Sequence, residues 1–166
     1  MVSREEFVIK IEAAVAARRD PDFMIIARTD ARAVIGFEEA IARANAALAV
    51  GADMAFVEAM QTSEELVEVP KKVKGPCLLN MVGGGKTPPI SIPDARSLGY
   101  RLAIVPGLVL GTVIKAADEA LRRFKETEAL PGPRPGQSPM DIFRRVGADE
   151  WDRLRRRSGA ASKAMS

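Results

Sequence analysis

Arg28, Glu58 and Asn80 each stand at the polar end of a short apolar run, after Phe23-Met24-Ile25-Ile26-Ala27, Met54-Ala55-Phe56-Val57 and Cys77-Leu78-Leu79 respectively. Arginine offers a planar fork that matches a carboxylate or phosphonate. Glutamate can hold Mg²⁺ directly or through water, or accept a substrate hydroxyl, and asparagine can donate to a developing enolate oxygen. Thr29 and Asp30 follow Arg28 at the same point, and a fourth run, Leu102-Ala103-Ile104-Val105, stops at Pro106. Taken singly, each polar residue can be a strand terminator. Collected at one rim, they favour a small anionic substrate.

Other chemistries are excluded by composition. The sequence contains no histidine, so no Ser-His, Cys-His or His-ligated metal mechanism can come from these residues alone. The single cysteine, Cys77, follows Pro76 and opens an apolar run, which reads as a buried structural thiol rather than a nucleophile. Gly84-Gly85-Lys86-Thr87 imitates a P-loop, but the motif needs glycine where Asn80 stands, and Pro88-Pro89 follow where a helix should begin. In a flexible loop, Gly85 and Thr87 can instead present backbone or hydroxyl donors to an anion. The net charge of +3 lies wholly in residues 140–166, which carry seven bases against four acids, while the preceding residues balance. Such a footprint, with one Trp and one Tyr, argues against nucleic acid. No apolar run is long enough to span a bilayer, and Met1-Val2-Ser3-Arg4-Glu5-Glu6 carries no signal-peptide pattern, so a cytoplasmic location is expected.

The elements that must position the rim alternate along the chain. Ser3 and Glu6 open a helix over about 4–19, and Asp20-Pro21-Asp22 breaks it before the first strand, 23–27, apolar on both faces. A second helix runs over 37–50, capped by Gly51, and leads to the strand at 54–57. A third helical stretch, 63–73, is disturbed by Pro70 and precedes the strand at 77–79. A Gly- and Pro-rich loop, 81–92, a short helix, 93–98, the strand at 102–105 and a long helix, 108–127, complete the series. Alternation of this kind predicts an α/β fold with a parallel sheet covered by helices.

Residues 131–139 read as a Pro/Gly linker, 140–157 as an amphipathic helical extension and 158–166 as a disordered tail. Met140, Ile142, Phe143, Val146, Trp151 and Leu154 give the extension an apolar face that can pack on its own body or on a neighbouring subunit.

Several segments in order carry a resemblance: Ile25-Ile26-Ala27-Arg28-Thr29-Asp30-Ala31, Gly51-Ala52-Asp53 with Phe56-Val57-Glu58-Ala59, Leu79-Asn80-Met81-Val82 with Gly85-Lys86-Thr87-Pro88, and Leu98-Gly99-Tyr100-Arg101 before Pro106. Together they resemble the isocitrate lyase and phosphoenolpyruvate mutase superfamily, over most of residues 3–127, and its short-chain lyases, decarboxylases and phosphonomutases above all. The resemblance implies a (β/α)8 barrel, a Mg²⁺ or Mn²⁺ cofactor and an enolpyruvate-like intermediate at the carboxyl rim. Lyases of this kind cleave a carbon–carbon bond in a 2-hydroxy di- or tricarboxylate or an oxo acid; mutases move phosphorus between oxygen and carbon. By position, Arg28 would bind the substrate carboxylate, Glu58 would sit near the metal or substrate hydroxyl, and Asn80, Gly85 and Thr87 would touch substrate.

The superfamily also carries an acidic metal-binding pair on an earlier strand and a mobile Lys-Lys-Cys-Gly-His loop with an acid/base cysteine; neither motif occurs among these residues. Val2-Ser3-Arg4-Glu5-Glu6-Phe7 resembles the segment directly after that loop. The expectation is therefore the C-terminal four βα units of the barrel in residues 1–130 plus the helical extension. Such a half-barrel would lack the main metal ligands, be inactive alone, and pair with a missing half or form a homo-oligomer. A non-catalytic dicarboxylate-binding partner, and more remotely a small flavodoxin-like domain, are the rival readings.

Overall fold

The computed structural model describes residues 1–130, 132 and 138–164, with side chains described as far as 156. Contacts divide the chain into two units, Met1–Lys115 and Ala116–Ser166. The first holds α1 (Arg4–Ala17), β1 (Ile26–Thr29), α2 (Ala31–Val34), α3 (Phe37–Ala49), β2 (Met54–Val57), α4 (Ser63–Lys72), β3 (Cys77–Asn80), α5 (Ile92–Leu98) and β4 (Leu102–Ile104). Helix α6 (Gly107–Thr127) begins in the first unit and ends in the second, which also holds α7 (Pro139–Arg145) and α8 (Ala148–Ala164).

All four strands are parallel in the order β1-β2-β3-β4, so each of the first three is followed by a crossover that lays the next strand beside it. Alternation of side chains then splits the strands into two sets. Ala55, Val57, Cys77 and Leu79 face the helices and pack with Ile41 and Ala44 of α3, Leu66 and Val69 of α4 and Ala95 of α5. Met54, Phe56 and Leu78 form a smaller cluster on the opposite face. Register places Arg28 beside Phe56, Phe56 beside Leu78, and Leu78 beside Leu102 in one row across that second face.

The helix boundaries follow from local chemistry. The Ser3 hydroxyl accepts from the Glu6 N–H at 3.1 Å, and the Thr62 and Ser91 hydroxyls accept from Glu65 and Asp94 N–H groups in the same way. Gly99 closes α5 at φ 103°, a conformation that favours glycine. Helix α4 runs straight over Pro70, which sits in its last turn. Proline removes the N–H that would bond the Leu66 carbonyl four residues back. The buried Tyr100 hydroxyl donates to that carbonyl at 3.0 Å, so no orphan is left.

Three features depart from the sequence reading. Strand β1 starts at Ile26 instead of residue 23, because Asp20 holds a turn: its carboxylate accepts from the Asp22 N–H at 2.9 Å and its carbonyl from the Phe23 N–H at 3.1 Å. Its entry is pinned by Asp53, whose carboxylate accepts from the Ile25 N–H and the Arg18 guanidinium, each at 2.8 Å. The Ile25 N–H first, and Arg18 behind it, hold that carboxyl below the usual range. Neither β1 nor β4 is buried on both faces: they are the sheet's edges, Ile26, Leu102 and Ile104 are exposed, and only Ala27 and Thr29 of β1 are buried. The short helix α2 was not foreseen.

Helix α6 buries no residue, and Leu110, Val113, Ile114, Leu121 and Phe124 are exposed along it. Within the second unit, Met140, Ile142, Phe143, Val146 and Trp151 are likewise exposed. The backbone of α8 stays helical to Ala164, through most of the stretch expected to be a disordered tail, where Ala160, Ala161 and Ala164 favour helix. The Pro/Gly linker expected over 131–139 lies largely outside the described residues, as do Met165 and Ser166 of the tail.

Candidate functional site

The strand ends bring Arg28, Glu58 and Asn80 into one polar group, with Asn80 hydrogen-bonded to Glu58 and Arg28 within ion-pair range of it. Arg28 lies on the open face of β1 with its guanidinium 5.1 Å above the Phe56 ring. Asp30, two residues on and therefore on the same side of the chain, takes the fork in two hydrogen bonds, Nε to Oδ2 at 3.0 Å and Nη2 to Oδ1 at 2.8 Å. Nη2 also lies 3.6 Å from Glu58 Oε2. These contacts, the Asp30 hydrogen bonds foremost, raise the Arg28 pKa above its already high value. The sequence named Asp30 at the rim but not as the partner of Arg28; the i,i+2 spacing was the available signal.

Glu58 follows β2 immediately, and its side chain is only 17% exposed. Its Oε1 accepts from the Ala59 N–H at 3.0 Å and its Oε2 from Asn80 Nδ2 at 3.1 Å. Ala59 adopts φ 59°, a left-handed conformation that costs a non-glycine residue about 1 kcal/mol or more. Asn80 ends β3, and its Oδ1 is sealed from solvent with no hydrogen-bond partner among the described residues.

Asn80 also lines a cavity of about 440 Å³, together with Val82, Gly85, Thr87, Pro88 and Val105. The loop that walls it turns on a Gly85 N–H to Val82 carbonyl bond of 3.2 Å and on Gly84 at φ 77°. The five residues singled out in the sequence thus fall into two overlapping sets. Arg28, Glu58 and Asn80 are joined by polar contacts, while Asn80, Gly85 and Thr87 share the cavity; Asn80 belongs to both. Val105 and Pro88 are wall residues that no polar motif announces.

The group does not by itself fit a divalent cation. Among the described residues no three Asp, Glu or Cys side chains converge on a point where a metal would be held. The two rim carboxylates, Asp30 and Glu58, both face the Arg28 guanidinium, and a further cation between them would meet its charge. Glu58 is left as an outer contact at most.

Cys77 is buried on the helix-facing side of β3, away from this group, and its thiol lies 3.6 Å from the Gly75 carbonyl. Burial pushes its pKa up to about 11. A thiolate is therefore scarce at neutral pH. With a disulfide reagent at pH 8, Cys77 is expected to stay unmodified in the native protein and to react at once in denaturant. Fast native labelling would show that the β3 packing opens readily.

Comparison with known proteins places these features in context. A family model described as phosphoenolpyruvate phosphomutase matches residues 1–125. A 2-methylisocitrate lyase of Aeropyrum pernix is 44% identical over 126 residues, 76% of this chain and 40% of that protein. A 2,3-dimethylmalate lyase of Eubacterium barkeri is 39% identical over 132 residues, 80% of this chain and 46% of that protein. Among solved structures, a 2,3-dimethylmalate lyase described as a PEP mutase/isocitrate lyase superfamily member superposes with a TM-score of 0.88 at 37% identity, over 95% of this chain and 56% of that one. An oxaloacetate acetylhydrolase in complex with 3,3-difluorooxalacetate superposes at 0.89 and 33% identity, over 96% of this chain and 54% of that one. The chain spans about half the length of the curated relatives it matches.

Proposed function

The chain belongs to the isocitrate lyase and phosphoenolpyruvate mutase superfamily, its four parallel strands matching part of the barrel of its relatives, and on that premise we propose that it carries the carboxylate-binding rim of a carbon–carbon lyase. The substrate class is a 2-hydroxy di- or tricarboxylate or an oxo acid, acting in the cytoplasm through an enolpyruvate-like intermediate. The observation that carries this reading is the contact of Arg28, Glu58 and Asn80 at the carboxyl end of a parallel sheet. Arg28 binds a substrate carboxylate; Asn80, with Gly85 and Thr87 beside it, meets the reacting end; Glu58 orients the group. A divalent cation such as Mg²⁺ would neutralise charge on the substrate, and would need acidic ligands other than those described. Residues 1–130 would act as a partial barrel, and the apolar face of 140–157 would pack on a second subunit or on the rest of a barrel.

One observation favours a second reading, a non-catalytic dicarboxylate-binding or assembly partner. At the rim one guanidinium stands against two carboxylates, and both of them are engaged with it. One experiment tests the carboxylate-binding rim that these readings, and a phosphonomutase of the same superfamily, have in common. The 166-residue chain is expected to bind malate in calorimetry and to release no pyruvate from methylisocitrate or oxaloacetate with Mg²⁺. Robust pyruvate release would show that the acid/base group is already present. Failure to bind any dicarboxylate would remove the carboxylate-rim reading.

A further inference from the structure

The sheet has two free edges, and each fits the other. An edge is usually blunted by lysine, proline or a bulge, because its unpaired row of N–H and C=O groups templates further pairing. Neither edge here carries lysine or proline: β1 lies in Phe23-Met24-Ile25-Ile26-Ala27 and β4 in Leu102-Ala103-Ile104-Val105. Met24, Ile26, Leu102 and Ile104 are exposed along them. Beside each edge an open groove runs on the helix side, about 380 Å³ next to β1 over Ala14, Ala17 and Phe23, and about 270 Å³ next to β4 over Ile92, Ala95 and Ala103.

Closing the sheet fixes how the edges would meet. A (β/α)8 barrel closes with a shear of about eight residues per circuit. Four strands in the order β1-β2-β3-β4 are half of that circuit, so a two-fold axis along the barrel supplies the other half from a second copy. The pairings of Ile26 with Met54, Ala55 with Cys77 and Leu78 with Leu102 put Tyr100 on the row of Ile26. Half the shear then moves the row by about four residues toward the amino end, because the strands tilt right-handed. Leu102, Ala103 and Ile104 thus fall beside Met24, Ile25 and Ile26 of the second copy. The step is even, so the faces are kept. Leu102 and Ile104 meet Met24 and Ile26 on the open face of the sheet, and Ala103 meets Ile25 on the helix side.

The charges agree with this register. Asp20 and Asp22 stand before β1 and Arg101 before β4, at the same end of the sheet. Arg101 and Asp22 are exposed and have no ion-pair partner among the described residues. The row sets Tyr100 beside Asp22 of the second copy, and Arg101 one residue further along. At the other end Pro106 falls beside Arg28 of the second copy, so each rim gains a wall from its partner.

We infer that the β1 and β4 edges are an interface for a second copy of this chain, and that two copies close one eight-stranded barrel. The inference rests on the partial-barrel reading above and commits the partner to the same sequence.

Sedimentation equilibrium on the full chain is expected to give the mass of two chains at micromolar concentration. Arg101→Glu and Asp22→Arg each place like charges at both seams, and each should weaken pairing about tenfold or more. An equimolar mixture of the two variants should pair as the native chain does, since both of its seams then join opposite charges; a folding defect in either variant would not be repaired by mixing. Leu102→Ala should also weaken pairing, while in the single chain at high dilution the same side chain stays exposed. A single chain at every concentration overturns the inference. So do masses that grow beyond two chains, which would mean an open row of sheets, and so does pairing that Arg101→Glu leaves unchanged, which would place the interface on another surface such as the apolar face of 140–157. Malate binding is read separately, so each of these results leaves the carboxylate-rim reading standing.

Discussion

Arg28→Ala is expected to weaken malate binding by roughly a hundredfold while leaving the fold in place, an effect set by charged hydrogen bonds worth about 1.5–3 kcal/mol. Two consequences of the geometry combine. The substitution removes the fork that would receive the substrate carboxylate, and it leaves Asp30 and Glu58 without the cation they share. An anionic ligand then approaches two carboxylates with nothing to offset them. Stability should change little, because the Arg28 side chain is 52% exposed and its ion pairs lie near solvent, where such pairs contribute about 0–1 kcal/mol. Arg28→Lys keeps the charge but loses the planar fork, and should recover part of the affinity. Calorimetry with circular dichroism on the same samples separates binding from folding. Unchanged malate affinity in a folded Arg28→Ala would move the carboxylate site elsewhere.

Leu79→Ala is expected to destabilise the protein by about 3 kcal/mol, within the 2–5 kcal/mol typical of buried leucines. Leu79 has no exposed surface and packs in the main core with Val57, Val69 and Ala95. It is central to β3, between β2 and β4, so little can move to fill the void. Domains of this size have about 5–15 kcal/mol in all. With one sheet face thinly covered, this one should lie at the low end, and the urea midpoint should fall by about 1.5–2 M at an ordinary denaturant slope. Leu102→Ala is the internal control: 39% exposed on the edge strand β4, it should cost under about 1 kcal/mol. Equal losses at both positions would mean that the exposed face of the sheet is covered in solution.

The contrast between Leu79 and Leu102 also marks how far the sequence could be read. Both lie in apolar runs of similar composition, and both were expected to be buried on a parallel strand. The order of elements followed from signals that act over a few residues: Ser3 and Glu6 opening α1, Gly51 and Gly99 ending helices, Asn80 and Glu58 closing strands. Such signals reflect backbone geometry and capping, which depend little on distant parts of the chain. They sufficed for the α/β alternation, and with parallel strands they put Arg28, Glu58 and Asn80 on one rim.

Tertiary structure alone decided the rest. Burial is a property of a residue's neighbours, so Ile26, Leu102 and Ile104 read as core in sequence and stand exposed at the sheet's edges. Pro70 read as a disturbance within the third helix, and the Tyr100 hydroxyl, 30 residues on, satisfies the carbonyl that proline leaves unpaired. The fork of Arg28 read as open, and Asp30 occupies it. Asn80 read as a donor, and Glu58, brought across from the neighbouring strand, commits its NH2 and leaves its oxygen without a partner among the described residues. Residue type fixes which hydrogen bonds a side chain is able to make; only the partners gathered around it by the sheet determine which of them remain for a ligand.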